Sequence, residues 1–161
     1  MRTAAVSGGF RRISRMEEMM RVYADMTADL FHAGHVEFLK KARALGDYMI
    51  VGLMSDEDIT RWKRPPILNL EDRITVVAAC KFVDEAIPNA PWIIDANWIA
   101  LHNIDLVVHG DDYTDQELKF SHNVPIEMGI FRSIPYTPGI STTQIIMRCK
   151  EAELGSERPP S

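Results

Sequence analysis

The chain has 161 residues, of which 46% are hydrophobic, and a formal net charge of -5. That length suits one well-buried domain rather than two, and the acidic balance excludes a broad nucleic-acid-binding surface, which needs clustered Lys and Arg. Cys80 and Cys149 are too few and too far apart for a disulfide scaffold and read as buried thiols, and no apolar run approaches the roughly 20 residues of a membrane span, so a soluble, cytoplasmic protein is expected.

In chain order, residues 1–20 come first as a flexible arm. Arg2, Arg11, Arg12 and Arg15 occur there with Ser7 and Ser14, and the first fifteen residues hold no acid. An organelle transit peptide has the same composition, and the arm is the preferred reading. The expected folded domain is residues 21–150. Strands are expected at residues 22–24 (VYA), 48–53 (YMIVGL), 85–88 (EAIP), 105–109 (DLVVH) and 131–135 (FRSIP). The second and fourth are apolar on both faces, as strands of a covered parallel sheet are. Helices are expected between them. Residues 35–45 place Phe38, Leu39 and Ala42 on one face, and residues 71–82 do the same with Ile74, Val77, Ala78 and Phe82. Shorter helices are expected at 95–101, 115–120 and 142–149, the last capped by Ser141 or Thr142. Residues 151–161 have a linker-like composition and read as a tail, or as a joint to a second domain.

The alternation predicts an α/β fold, a Rossmann-like doubly wound sheet of five parallel strands with its ligand beyond their carboxyl ends. The turn after the first strand, residues 27–35 (TADLFHAGH), runs straight into the first helix. A helix start offers free N–H groups and positive dipole to an anion, and Gly34 allows close approach to the backbone. His32 and His35, three apart, face one spot and can donate to phosphate oxygens as charge develops. At the last helix, Gly139 and Ile140 lead into the hydroxyls of Ser141, Thr142 and Thr143. Two helix N-termini therefore point at one crevice.

These residues resemble the cytidylyltransferase family that includes the ethanolamine-phosphate, choline-phosphate and glycerol-3-phosphate enzymes. His32 to His35 match its H-x-G-H motif, residues 139–143 the G-I-S-T-T part of R-T-x-G-I-S-T-T, and residues 70–73 its E-x-E-R-like helix start; the resemblance covers roughly residues 21–148. It implies an enzyme that transfers CMP from CTP to a small acceptor with release of pyrophosphate. His32 and His35 would hold the CTP phosphates and the transition state, with Lys63 as the catalytic lysine between α-phosphate and acceptor. Thr27, Ala28, Gly34, Gly139, Ile140, Ser141, Thr142 and Thr143 would line the phosphate side, Gly110 and Asp111 would recognise ribose and cytosine, and Arg73 would assist nucleotide binding or simply charge a helix surface. Mg²⁺ would arrive with the CTP, since the sequence has no dedicated cluster of carboxylates for it. A homodimer is implied as well.

On the acceptor side, Asp29, Trp92 and Tyr113 could form an acidic and aromatic pocket for an ammonium group, which suits phosphoethanolamine or phosphocholine. One position departs from the motif: Tyr136 stands where its first arginine belongs, and a phenol cannot replace a permanently charged fork. Either a cation such as Arg132 or Arg64 substitutes, or the ligand differs. With the linker-like end, Tyr136 turns the expectation toward 2-hydroxyethylphosphonate, the acceptor of the cytidylyltransferase domain in fosfomycin biosynthesis, with an amino-alcohol phosphate as the alternative. An adenylyltransferase and a non-catalytic nucleotide-binding regulator are the competing classes.

Overall fold

The computed structural model describes residues 19–135 and 137–152. The arginine-rich start, Tyr136 and the tail from residue 153 lie outside the described residues. Five strands, β1 (Arg21–Met26), β2 (Tyr48–Leu53), β3 (Glu85–Pro88), β4 (Leu106–Gly110) and β5 (Phe131–Ile134), form one sheet in the order β3-β2-β1-β4-β5. Every pairing is parallel. The chain runs from the centre to one edge and then returns to lay β4 beside β1, so the direction of winding reverses between those two strands. In such sheets the crevice opens at that reversal.

β1 shows why the strands read as apolar on both faces. Val22 and Ala24 join a core with Leu39, Ala42 and Val77, while Tyr23 joins another with Ile50, Ile94, Ile99, Ile104 and Val107. Helices cover both faces: α1 (Ala33–Arg43), α2 (Asp56–Trp62), α3 (Leu70–Ala78), α4 (Ala96–Leu101), α5 (Asp115–Glu127) and α6 (Thr142–Glu151). Met20, placed by composition in the arm, is held at the sheet: its N–H donates to Asp47 and its carbonyl accepts from Asp47 and Tyr48. Cys80 is half-buried, whereas Cys149 is exposed because α6 buries none of its residues.

Two elements differ from expectation. Helix α2 is absent from the sequence reading because DEDITRW buries only Ile59 and so shows no apolar stripe. Helix α5 continues past Phe120 through Pro125, with a kink where His122 takes φ -124° and ψ 19°. A helical proline removes one donor and crowds the carbonyl four residues earlier. Here that carbonyl belongs to Ser121, and it turns away to accept from Ile94 N–H at 2.9 Å. Among the described residues, no helix is long and apolar enough to cross a membrane.

Candidate functional site

A cavity of about 560 Å³ opens at the reversal point, and Asp25 and Met26 from β1, His109 and Gly110 from β4 and Ser141 to Thr143 at the start of α6 all line it. The expected Thr27, Ala28, Asp29, His32, Gly34, His35, Lys63 and Tyr113 line it too. Arg73, Trp92, Asp111, Gly139 and Ile140 do not; Asp112 stands at the wall where Asp111 was expected. Tyr136 lies outside the described residues.

Two histidines build one part of the cavity wall. His32 is the N-cap of α1, and its Nδ1 accepts from Gly34 N–H at 3.1 Å; His35 Nδ1 accepts from His32 N–H at 3.2 Å. With each Nδ1 accepting, each neutral ring carries its proton on Nε2, which is left as a donor. The rings lie 4.0 Å apart, and His35 also stacks on Phe31 at 5.3 Å. Burial, and then the adjacent His32, hold the His35 pKa down at about 4, against the opposing pull of Asp29; burial lowers His32 too. Both are therefore neutral near pH 7. Gly34 is required by this pair: a Cβ there would meet His32 Cε1 at 2.8 Å and Nδ1 at 3.0 Å.

Between β1 and α1 the backbone is strained. Ala28 and Leu30 both adopt left-handed conformations, with φ of 54° and 47°, a region that costs residues bearing a Cβ about 1–2 kcal/mol. Three contacts hold the turn. Arg73 Nη1 donates to Thr27 O at 2.6 Å, Thr142 Oγ1 donates to Asp29 O at 2.9 Å, and the Asp29 carboxylate accepts from the N–H groups of Ile67 and Leu68 and from Arg64. Two expectations change with this arrangement. Arg73 is fully buried, its other donors spent on Leu68 O, Met54 O and Asp56 Oδ1, so it braces the site from beneath instead of lining it or charging a surface. Asp29, whose carboxyl stays ionised despite burial because those donors favour the charge, spends both oxygens on anchoring the 64–68 loop, a bracing role the sequence did not signal. Arg64 is part of that anchor, and Lys41 Nζ reaches Pro135 O and Thr137 Oγ1.

The cavity wall also holds an acid that sequence reasoning missed. Asp25, at the end of β1, meets His122 Nε2 at 2.8 Å, and His122 Nδ1 meets Ser121 Oγ at 2.7 Å. Burial opposes ionisation of Asp25, but the His122 hydrogen bond and the nearby imidazoles of His122 and His109 outweigh it and hold the carboxyl below its usual range. His109 packs against Tyr113 at 4.2 Å and His122 at 5.0 Å. Burial, reinforced by Asp25, raises the Tyr113 pKa, so the phenol stays protonated. Asp25, His109 and His122 also have ligating atoms within 4.8 Å of one another, but the carboxylate and imidazole already face each other, and two nitrogens suit a transition metal better than Mg²⁺. The kink in α5 is what carries His122 here. Only Pro125 signalled it in the sequence.

Lys63 caps α2 and lines the cavity, with Nζ 3.3 Å from Tyr113 Oη and 5.5 Å from the Trp92 ring. Trp92 itself stacks on Trp62 at 5.9 Å. It therefore flanks the lysine and does not form the expected cage with Asp29.

Comparison with known proteins agrees with this architecture. The chain is 43% identical over 134 residues to an ethanolamine-phosphate cytidylyltransferase of Arabidopsis thaliana, covering 79% of this chain and 32% of the relative. It is 39% identical over 135 residues to choline-phosphate cytidylyltransferase A of Rattus norvegicus, covering 82% of this chain and 37% of that protein. The chain thus spans roughly a third of the length of these relatives. Among solved structures, a lipopolysaccharide core biosynthesis protein from Thermoplasma volcanium superposes with a TM-score of 0.60 at 25% identity, over 76% of this chain and 99% of that one. A pantothenate synthetase from Thermus thermophilus, at 15% identity and TM-score 0.53, covers 83% of this chain and 64% of its own and shares the fold. The cytidylyltransferase-like family model matches residues 23–148, from β1 through most of α6, and the chain belongs to that family.

Proposed function

We propose that the chain transfers CMP from CTP to the phosphate of phosphoethanolamine, releasing pyrophosphate. The observation that carries this reading is one cavity lined by two unlike sets of groups, paired neutral imidazoles with a helix N-terminus and the ionised Asp25 among aromatic rings, with Lys63 also on its wall. The first set suits a triphosphate. The second suits a small cation, which an amino-alcohol phosphate carries and a hydroxyalkyl phosphonate lacks. The names of the relatives, ethanolamine-phosphate and choline-phosphate cytidylyltransferases, support the same choice and move the reading away from the phosphonate that Tyr136 suggested.

In this mechanism an acceptor phosphate oxygen, already anionic, attacks the α-phosphorus in line. The new O–P bond forms as the bond to the β-phosphate oxygen breaks, and pyrophosphate leaves. No general base is needed, so catalysis rests on positioning and charge neutralisation. His32 and His35 donate through Nε2–H to the phosphates, and Lys63 neutralises charge growing around the α-phosphorus. Mg²⁺ enters on the CTP as part of the substrate.

The test is pyrophosphate release from Mg·CTP with phosphoethanolamine, phosphocholine, 2-hydroxyethylphosphonate or glycerol 3-phosphate, with ATP as the nucleotide control. Preference for phosphoethanolamine is expected, and Lys63→Ala should lower kcat by about 100-fold or more while the fold is kept. Preference for the phosphonate would reverse the acceptor assignment. Silence with all four would end the catalytic reading.

A further inference from the structure

Lys63 leaves the end of a helix of only seven residues, and the anchoring of that helix is uneven. Its first turn is fixed by Ser55 Oγ accepting from Asp58 N–H at 3.0 Å and by Asp56 Oδ1 accepting from the buried Arg73 at 2.6 Å. Ile59 fixes the middle. From residue 60 to residue 65 every residue is exposed, and beyond the lysine Asp29 holds the Arg64 side chain and the 67 and 68 N–H groups. The lysine therefore sits in an exposed stretch between these anchors.

Trp62 is a further side chain that ties this stretch down, on the residue before the lysine. Although 53% exposed, its indole stacks on Trp92 with centroids 5.9 Å and planes 24° apart, and it meets Phe120 of α5 at 5.6 Å. Trp92 and Tyr113 in turn flank the next residue, with Lys63 Nζ 5.5 Å and 5.3 Å from their rings. A stacked aromatic contact prefers a defined geometry, whereas a lysine stem of four carbons has none of its own. The stack supplies the backbone origin from which that stem starts.

We propose that Trp62 is a positioning residue: by stacking on Trp92 and Phe120 it fixes the end of α2 and so delivers Lys63 to the reacting phosphate. This rests on the reading of Lys63 given above. Displacing a reacting group by about 1 Å costs on the order of 100-fold in rate, so loosening this contact should appear in turnover before it appears in binding or folding.

The experiment compares the full chain with Trp62→Ala, Trp62→Phe, Lys63→Ala and the Trp62→Ala, Lys63→Ala double variant, using Mg·CTP and phosphoethanolamine. Trp62→Ala is expected to lose about 10- to 100-fold in kcat with KM for CTP close to the parent. Its near-ultraviolet circular dichroism should lose the signal of the stacked indole pair, and Trp62→Phe should restore most of the turnover. In the Lys63→Ala background the added Trp62→Ala should cost nothing further, because the group it positions is gone. Parental kcat in Trp62→Ala, or losses that multiply in the double variant, would overturn the inference while leaving the proposed function standing. Absence of turnover by the parent with every acceptor would overturn both.

Discussion

A neutral histidine pair governs how the cavity responds to acidity. The imidazoles of His32 and His35 are uncharged in the free protein because burial disfavours the cation, and an incoming triphosphate would favour it. Binding of CTP should therefore take up protons: affinity should rise as pH falls from 8 toward 6, and calorimetry in buffers of different ionisation enthalpy should detect the uptake. For stability the sign is opposite. The His35 pKa falls from about 6.5 when unfolded to about 4 when folded, so its contribution is intact above pH 6.5 and is lost as the unfolded chain gains a proton between about 6.5 and 4. The melting temperature should fall across that window, less steeply in His35→Asn. Gly34→Ala tests the geometry of the pair. A methyl group 2.8 Å from the His32 ring forces that ring from its cap, and kcat/KM should fall by about 100-fold with little change in secondary structure.

Elements at this site are braced from below. Arg73 on α3 serves Thr27, Met54, Leu68 and Asp56 at once, joining β1, β2 and α2 through a buried guanidinium. Replacing it with Met should strand those acceptors and cost about 3–5 kcal/mol in urea denaturation, far more than loss of a surface charge. Both sheet and helices were largely legible in the sequence, because β2 and β4 are apolar runs and α1 and α3 carry apolar stripes. H-x-G-H and the hydroxyls at residues 141–143 were visible because each is a short contiguous motif, and both line the cavity. The acidic part was not. Asp25 is a lone acid in a short strand, and its partner His122 comes from a helix that reads as finished at Phe120 and reaches the cavity only through the kink before Pro125. A buried Arg73 was equally hidden, because helical position alone does not distinguish a surface charge from a strut.

Over the whole molecule, the cavity is closed by contacts that are distant in sequence. His122 and Asp25 are 97 residues apart, and Thr142 and Asp29 are 113 apart. Ligand binding should thus act on the entire fold. At CTP near 100 times its dissociation constant, stability should rise by about 2.7 kcal/mol, and hydrogen exchange should slow together in residues 27–35 and 137–143. Protection confined to one of those segments would contradict a shared phosphate site. The central place of β1 has a consequence for biosynthesis. During synthesis β1 meets β2 early, but its other neighbour follows 84 residues behind, as the Arg21 to Asp105 bond records. Throughout that interval the nascent chain presents one unpaired edge of β1, a template for wrong pairing until β4 emerges, so residues 21–105 are where chaperone contact during synthesis should concentrate.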